Sequence, residues 1–147
     1  MLRGHQLATV DAKGRLKIPA DFLALLRKHG DEFYVTSETG TFVKVYPLKV
    51  WEGIEARLEK LPSHNPTKQK FLALTSYYGH MTRVDAQGRI LIPPVLRESA
   101  QMAGEVVVLG ALDHLEVWNH ARFQEQWVHG QRWTAEDARM LGEQLGI

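Results

Sequence analysis

The chain writes one ten-residue phrase twice. Val10-Asp11-Ala12-Lys13-Gly14-Arg15-Leu16-Lys17-Ile18-Pro19 returns 74 residues later as Val84-Asp85-Ala86-Gln87-Gly88-Arg89-Ile90-Leu91-Ile92-Pro93, with seven of ten positions identical. A fold needs a given turn once, so a duplicated turn with a duplicated arginine predicts one surface built twice by internal symmetry.

The correspondence runs beyond the phrase. Pro19 and Pro93 each end a strand and open a short helix, because the fixed φ of proline suits a first helical turn. The β-prone run Phe33-Tyr34-Val35-Thr36 answers to Val106-Val107-Val108-Leu109, and the half-buried pattern Val43-Lys44-Val45-Tyr46 answers to Leu115-Glu116-Val117-Trp118. Gly40 and Asp113 punctuate the hairpins. Each unit reads strand, turn, strand, short helix, strand, hairpin, strand, over residues 5–50 and 79–122. A helical link over 51–78 joins them, and a helical tail occupies 123–147.

Helix boundaries are also marked. Pro47 opens a helix bearing Trp51, Ile54, Leu58 and Leu61 on one face, with Pro62 as its stop. Asn65 caps the linking helix from Pro66 to about Tyr77. Asn119 caps another that carries Phe123 and Trp127 at i, i+4 spacing. Thr134 caps the last, with Met140, Leu141 and Leu145, and Gly146-Ile147 frays beyond it. Short strands with open edges cannot bury a core alone. Strands interleaved from both units would close a small barrel and remove those edges.

Composition narrows the function. There are no cysteines among 147 residues and the formal net charge is +1. A reducing compartment fits, and no signal peptide or apolar run of membrane length is expected, so the reading is cytoplasmic. A near-neutral body can still carry a basic face: Arg3, Lys13, Arg15 and Lys17 crowd the first phrase with only Asp11 against them. The seven histidines show neither H-x-H nor H-E-x-x-H spacing, so no metal site and no cofactor is expected. No serine sits in a nucleophile context and no glycine run forms a phosphate loop, so the chain does not read as an enzyme or as a binder of a small-molecule substrate. The tryptophans and Tyr77, Tyr78 read as packing and subunit-contact residues ahead of base-stacking platforms.

Chemistry concentrates in the phrase. An aspartate opening a tight turn accepts from backbone N–H groups two residues on, and Gly14 and Gly88 supply the positive φ that other residues resist. Asp11 and Asp85 therefore support the loops. Alternation buries Leu16 and Ile18 and leaves Arg15 and Lys17 on the other face. Arginine's planar fork suits guanine O6 and N7 or a phosphate. Arg15 and Arg89 with Lys13, Gln87, Lys17 and Arg83 are the candidate contacts to double-stranded DNA. The competing reading keeps each arginine at home, paired with the aspartate four residues earlier as a hairpin brace. Leu91, standing where the first copy has Lys17, hints at burial between modules or subunits.

The phrase D-x-x-G-R-[LI]-x-[IL]-P written twice resembles the MraZ family of bacterial transcriptional regulators. So do Arg3-Gly4-His5, the linker Leu61-Pro62-Ser63-His64-Asn65-Pro66 and the strand Leu115-Glu116-Val117-Trp118. The resemblance runs from about residue 3 to about residue 128. It implies a mainly β fold with helices: two pseudo-symmetric swapped-hairpin modules of the AbrB/MazE type forming a double-split β-barrel. It also implies a ring homo-oligomer, nucleoid-associated, that binds G-containing direct repeats in the promoter of a division and cell-wall gene cluster, its own gene included. The family's D-x-x-x-R contact motif falls on Asp11 with Arg15 and on Asp85 with Arg89. Two further readings stay open: an antitoxin, which would carry one module and a flexible tail, and a purely structural ring.

Overall fold

The computed structural model describes residues 1–147. Eight strands form one sheet: β1 (His5–Val10), β2 (Arg15–Lys17), β3 (Glu32–Thr36), β4 (Val43–Pro47), β5 (His80–Arg83), β6 (Arg89–Leu91), β7 (Gly104–Gly110) and β8 (Leu115–Asn119). The spatial order is β5-β3-β4-β8-β7-β1-β2-β6. The two ends of that order, β5 and β6, are consecutive in the chain and lie close, so the sheet curls into a nearly closed barrel.

The modules interleave. The first module's β1 pairs along its whole length with β7 of the second, and β5 of the second pairs with β3 of the first. Ala8 faces Val106 in one ladder and Thr82 faces Phe33 in the other, which are equivalent places in the two repeats. On the pseudo-two-fold itself, β2 pairs with β6, setting Leu16 opposite Ile90, and β4 pairs with β8, setting Lys44 opposite Glu116. Only the hairpins β3–β4 and β7–β8 pair at length within a module. Neither half can close its ladders alone, so the barrel is a single cooperative unit.

Alternation dictates the core. Leu16, Ile18, Ile90 and Ile92 point inward with at most 1% of their surface exposed, beside Val35, Val43, Val45, Val106, Val108, Leu115 and Val117. Burying one such side chain contributes about 1.5–3 kcal/mol. Helix α1 (Ala20–Leu26) follows Pro19 and supplies Phe22, Leu23 and Leu26 to the core. After α2 (Leu48–Leu58) and the Asn65-capped α3 (Pro66–Tyr77), helix α4 (Pro94–Ser99) follows Pro93 and supplies Leu96. Thr75 of α3 accepts at its carbonyl from the hydroxyls of Tyr34 and Thr36, which fixes the link against β3. Gly79 is required there by proximity, since a Cβ would stand 2.3 Å from the Thr75 carbonyl oxygen.

Two helices differ from the sequence reading. Helix α2 ends at Leu58, and Leu61 lies in the following turn, 42% exposed, because the last turn closes on Glu55 and Arg57 before Pro62 is reached. After α5 (His120–Phe123), capped by Asn119, the chain widens into a π-helical turn over Gln124–Val128. The i, i+4 register between Phe123 and Trp127 is therefore lost, yet both still meet Trp118 edge-on. Helix α6 (Ala135–Leu145) opens on a complete capping box between Thr134 and Asp137, and only Leu141 among its residues is even partly covered.

Candidate nucleic-acid interface

The two copies of the phrase fold into the same loop, bond for bond. In the first, Asp11 Oδ1 accepts from the backbone N–H of Lys13 and of Arg15, each at 2.9 Å. The Gly14 N–H donates to the Asp11 carbonyl at 3.0 Å, and the Asp11 N–H donates to the Arg15 carbonyl at 3.0 Å. In the second, Asp85 Oδ1 accepts from the N–H groups of Gln87 and Arg89, again at 2.9 Å. Gly14 and Gly88 have φ of 80° and 76°, the left-handed region that costs other residues strain. Hydrogen bonds from the Arg15 and Arg89 backbone hold the Asp11 and Asp85 carboxyls below the ordinary aspartate range despite opposing desolvation. Both aspartates are thus ionised loop supports, as their place in the turn predicts.

Each arginine is anchored through Nε to the aspartate of its own loop. Arg15 Nε donates to Asp11 Oδ2 at 2.9 Å, and Arg89 Nε donates to Asp85 Oδ2 at 2.9 Å. The pairing that a brace would require is therefore present. It engages Nε of each arginine; the terminal nitrogens of Arg15 have no partner, whereas Arg89 Nη2 also donates to Gln87 Oε1 at 3.4 Å, and the two side chains are 34% and 26% exposed.

Pairing of β2 with β6 brings the loops side by side. The Ile18 N–H donates to the Gly88 carbonyl and the Ile92 N–H to the Gly14 carbonyl, at 3.0 and 2.9 Å, so each loop is tied to the other repeat's strand. Arg89 Nη1 stands 3.9 Å from Asp11 Oδ2. The Lys17 ammonium donates to the Gln87 carbonyl, which places it at the second loop and not at its own. Lys13 is exposed, and its ammonium takes no partner. Arg83 stands apart, at the end of β5, in an exposed ion pair with Glu32 at 3.5 Å. Five of the six candidate contacts thus converge on the paired loops and Arg83 does not. Leu91, on β6, is 38% exposed on the same strand pair, outside the core of this chain.

One cation at this surface escaped the sequence reading. Arg97 of α4 lies directly over Gly14: a Cβ built there would stand 2.2 Å from Arg97 Nη1. Gly88 is covered instead by Leu23 of α1, whose Cδ2 would be 3.1 Å away. Leu23 and Arg97 are equivalent residues of the two repeats, so each loop is roofed by the opposite module. The only signal in the sequence was the mismatch at this position of the repeat, which has meaning only once the modules are interleaved.

No three histidine or acidic side chains gather where they could hold a metal ion, and no helix is long and apolar enough to cross a membrane.

Proteins similar in sequence match this chain over nearly its whole length. The profile of the family described as "MraZ protein, putative antitoxin-like" matches residues 1–74 and 80–144, one stretch for each repeat. A protein of Acidobacterium capsulatum named "Transcriptional regulator MraZ" is 46% identical, covering 97% of this chain and 98% of its own. A protein of Koribacter versatilis with the same name is 44% identical over the full length of both chains. Another from Acidithiobacillus ferrooxidans is 40% identical over 88% of this chain and 92% of its own. With both repeats matched and nearly the whole length aligned at such identity, this chain belongs to the MraZ family.

Proposed function

We propose that this protein is a DNA-binding transcriptional regulator without catalytic activity, which represses by occupying promoter DNA through the Asp11–Arg15 and Asp85–Arg89 loops. The observation that carries the reading is the pair of like loops, side by side, each with an aspartate holding the arginine Nε, with both arginine side chains partly exposed at one surface and the terminal nitrogens of Arg15 without a partner. Arg15 and Arg89 read guanine, at roughly 1–3 kcal/mol for each bidentate contact. Lys13, Lys17 and Gln87 engage the backbone, and Arg83 is at most peripheral because Glu32 already pairs with it. The target is the promoter of a division and cell-wall gene cluster that includes the protein's own gene, bound at G-containing direct repeats.

Few cations at one loop pair make weak, salt-sensitive binding. A ring homo-oligomer repeats the surface and raises affinity by avidity on spaced repeats. The exposed apolar side chains Leu7, Leu72, Met81 and Val95 offer the material for subunit contacts in the nucleoid-associated, cytoplasmic assembly.

The Asp–Arg pairing also favours a second reading, in which the arginines only brace their hairpins. One double variant separates them. Arg15→Ala with Arg89→Ala abolishes the gel shift of the upstream promoter duplex while melting temperature and oligomer size stay near those of the parent. A shift that survives in the variant ends the DNA reading for these loops, and a collapse of the melting temperature favours the brace.

A further inference from the structure

Most arginines of this chain that are not fully solvated have a partner. Arg15 and Arg89 pair with Asp11 and Asp85, and Arg122 donates to the carbonyls of Thr41 and Ser99. Arg97 is different. It is half-buried, its guanidinium makes no ion pair and no hydrogen bond, and its stem and head lie across Gly14. A partly covered cation with no counter-charge in the chain is free to take one from an outside partner. It borders an open hollow of about 570 Å³ beside the first loop, with Asp11, Ala12, Glu98 and Gln101.

The acidic groups facing that hollow are Asp11 and Glu98. The Asp11 carboxylate is already engaged by two backbone N–H groups and by Arg15 Nε. Glu98 is exposed and forms no ion pair. Around the first loop the cations Lys13, Arg15 and Arg97, contributed by both modules, stand against the carboxylates of Asp11 and Glu98, leaving the surface positive. At the second loop the place of Arg97 is taken by Leu23, buried and apolar.

We infer that Arg97 is a nucleic-acid phosphate contact, donated by the second module to complete the binding surface of the first module's loop. The inference rests on the DNA-binding reading and extends it. A guanidinium beside Arg15 holds the backbone flanking the base that Arg15 reads, and it recognises no base itself.

The test uses the full-length protein, a duplex from upstream of its own gene, and a scrambled duplex of equal length. Binding is followed by fluorescence anisotropy from about 50 to about 200 mM salt. Arg97→Met keeps a stem over Gly14 and removes the charge. It is expected to weaken both duplexes by the same factor, with a melting temperature near that of the parent. Its salt slope should be shallower by about one for each loop engaged, so its deficit narrows about threefold per loop across that salt range. Arg97→Lys should retain most of the affinity. Arg15→Ala, in contrast, should weaken the specific duplex more than the scrambled one and so narrow the difference between them. Parental affinity and slope in Arg97→Met overturn the inference, as does a loss of affinity that tracks a lowered melting temperature with an unchanged slope. If the parent protein itself retains neither duplex, the DNA-binding reading has failed and the inference falls with it, an outcome distinct from failure at Arg97 alone.

Discussion

The two loops have the same backbone and unequal surroundings. Arg15 is held only through Nε, and its two terminal nitrogens have no hydrogen-bond partner. Arg89 is held at all three: Nε on Asp85, Nη1 3.9 Å from Asp11, and Nη2 3.4 Å from Gln87 Oε1. Lys13 leaves its ammonium free in the first loop, where Gln87 spends its amide oxygen on Arg89 in the second. The roofs differ as well, Arg97 over Gly14 and Leu23 over Gly88. Duplication therefore preserved the scaffold of aspartate, glycine and arginine while the neighbours diverged. A binding site can be copied as a backbone and still be tuned separately by the side chains that the other half delivers.

On the proposed DNA-binding reading, that asymmetry predicts that the first loop is the stronger reader, and substitutions can break the claim. Arg15→Ala should cost about 1–3 kcal/mol of specific binding per engaged loop, and Arg89→Ala should cost less, as competition between specific and scrambled duplexes in a gel shift would measure. Equal losses would mean that bound DNA pulls Arg89 free of its three partners and that the asymmetry of the free protein is irrelevant.

A smaller effect tests the exchange of cations between halves. Leu91→Lys restores the repeat on β6, opposite Arg15 in the β2–β6 ladder. It should steepen the salt dependence by about one unit per loop engaged, read from titrations at several salt concentrations. An unchanged slope would show that this strand face lies away from the phosphates, or inside a subunit contact.

The glycines sharpen the comparison in stability. Gly14→Ala and Gly88→Ala both force a side chain into a positive φ, and each should destabilise by about 1 kcal/mol or somewhat more. Gly14→Ala must also displace Arg97, whereas Gly88→Ala need move Leu23 by only a few tenths of an ångström. Thermal melting should show Gly14→Ala as no more stable than Gly88→Ala, and DNA affinity should fall further in Gly14→Ala.

The smallest predicted effect lies at the other place where the repeats diverge. His114 occupies the position that Phe42 holds in the first half. Phe42 stacks on Trp118 and His114 stacks on Tyr46, each at 4.5 Å between centroids. His114 Nδ1 is bonded to Asp113 at 2.8 Å, while Nε2 is buried, 3.9 Å from Glu116 and without a hydrogen-bond partner. Burial opposes the charged ring, but the Glu116 and Asp113 carboxylates outweigh it and raise the His114 pKa above the ordinary 6.5. A raised histidine contributes stability that is complete below its unfolded pKa and lost as pH climbs through the folded one. The parent's melting temperature should therefore decline as pH rises above about 6.5, and His114→Phe should flatten that decline. An identical pH profile in the variant would remove His114 from the account.

Much of the architecture was legible in the residues because its causes are local. Alternation marks β4 and β8, Pro19 and Pro93 mark helix starts, and Asn65, Asn119 and Thr134 cap within three residues of themselves. The aspartate–glycine loop is equally local, so its supports were readable. The π-helical turn after Phe123 was not, because a register that widens to keep Trp127 against Trp118 answers to packing and not to propensity.

The sequence by itself determined that one loop is made twice, with which supports and which arginines, since every bond within the loop spans four residues or fewer. Only the tertiary structure decided which cations surround each copy. Lys17 reaches Gln87 seventy residues away, and Arg97 covers Gly14 across the module boundary. Those partnerships follow from strand pairing between halves, where chain distance carries no information about distance in space.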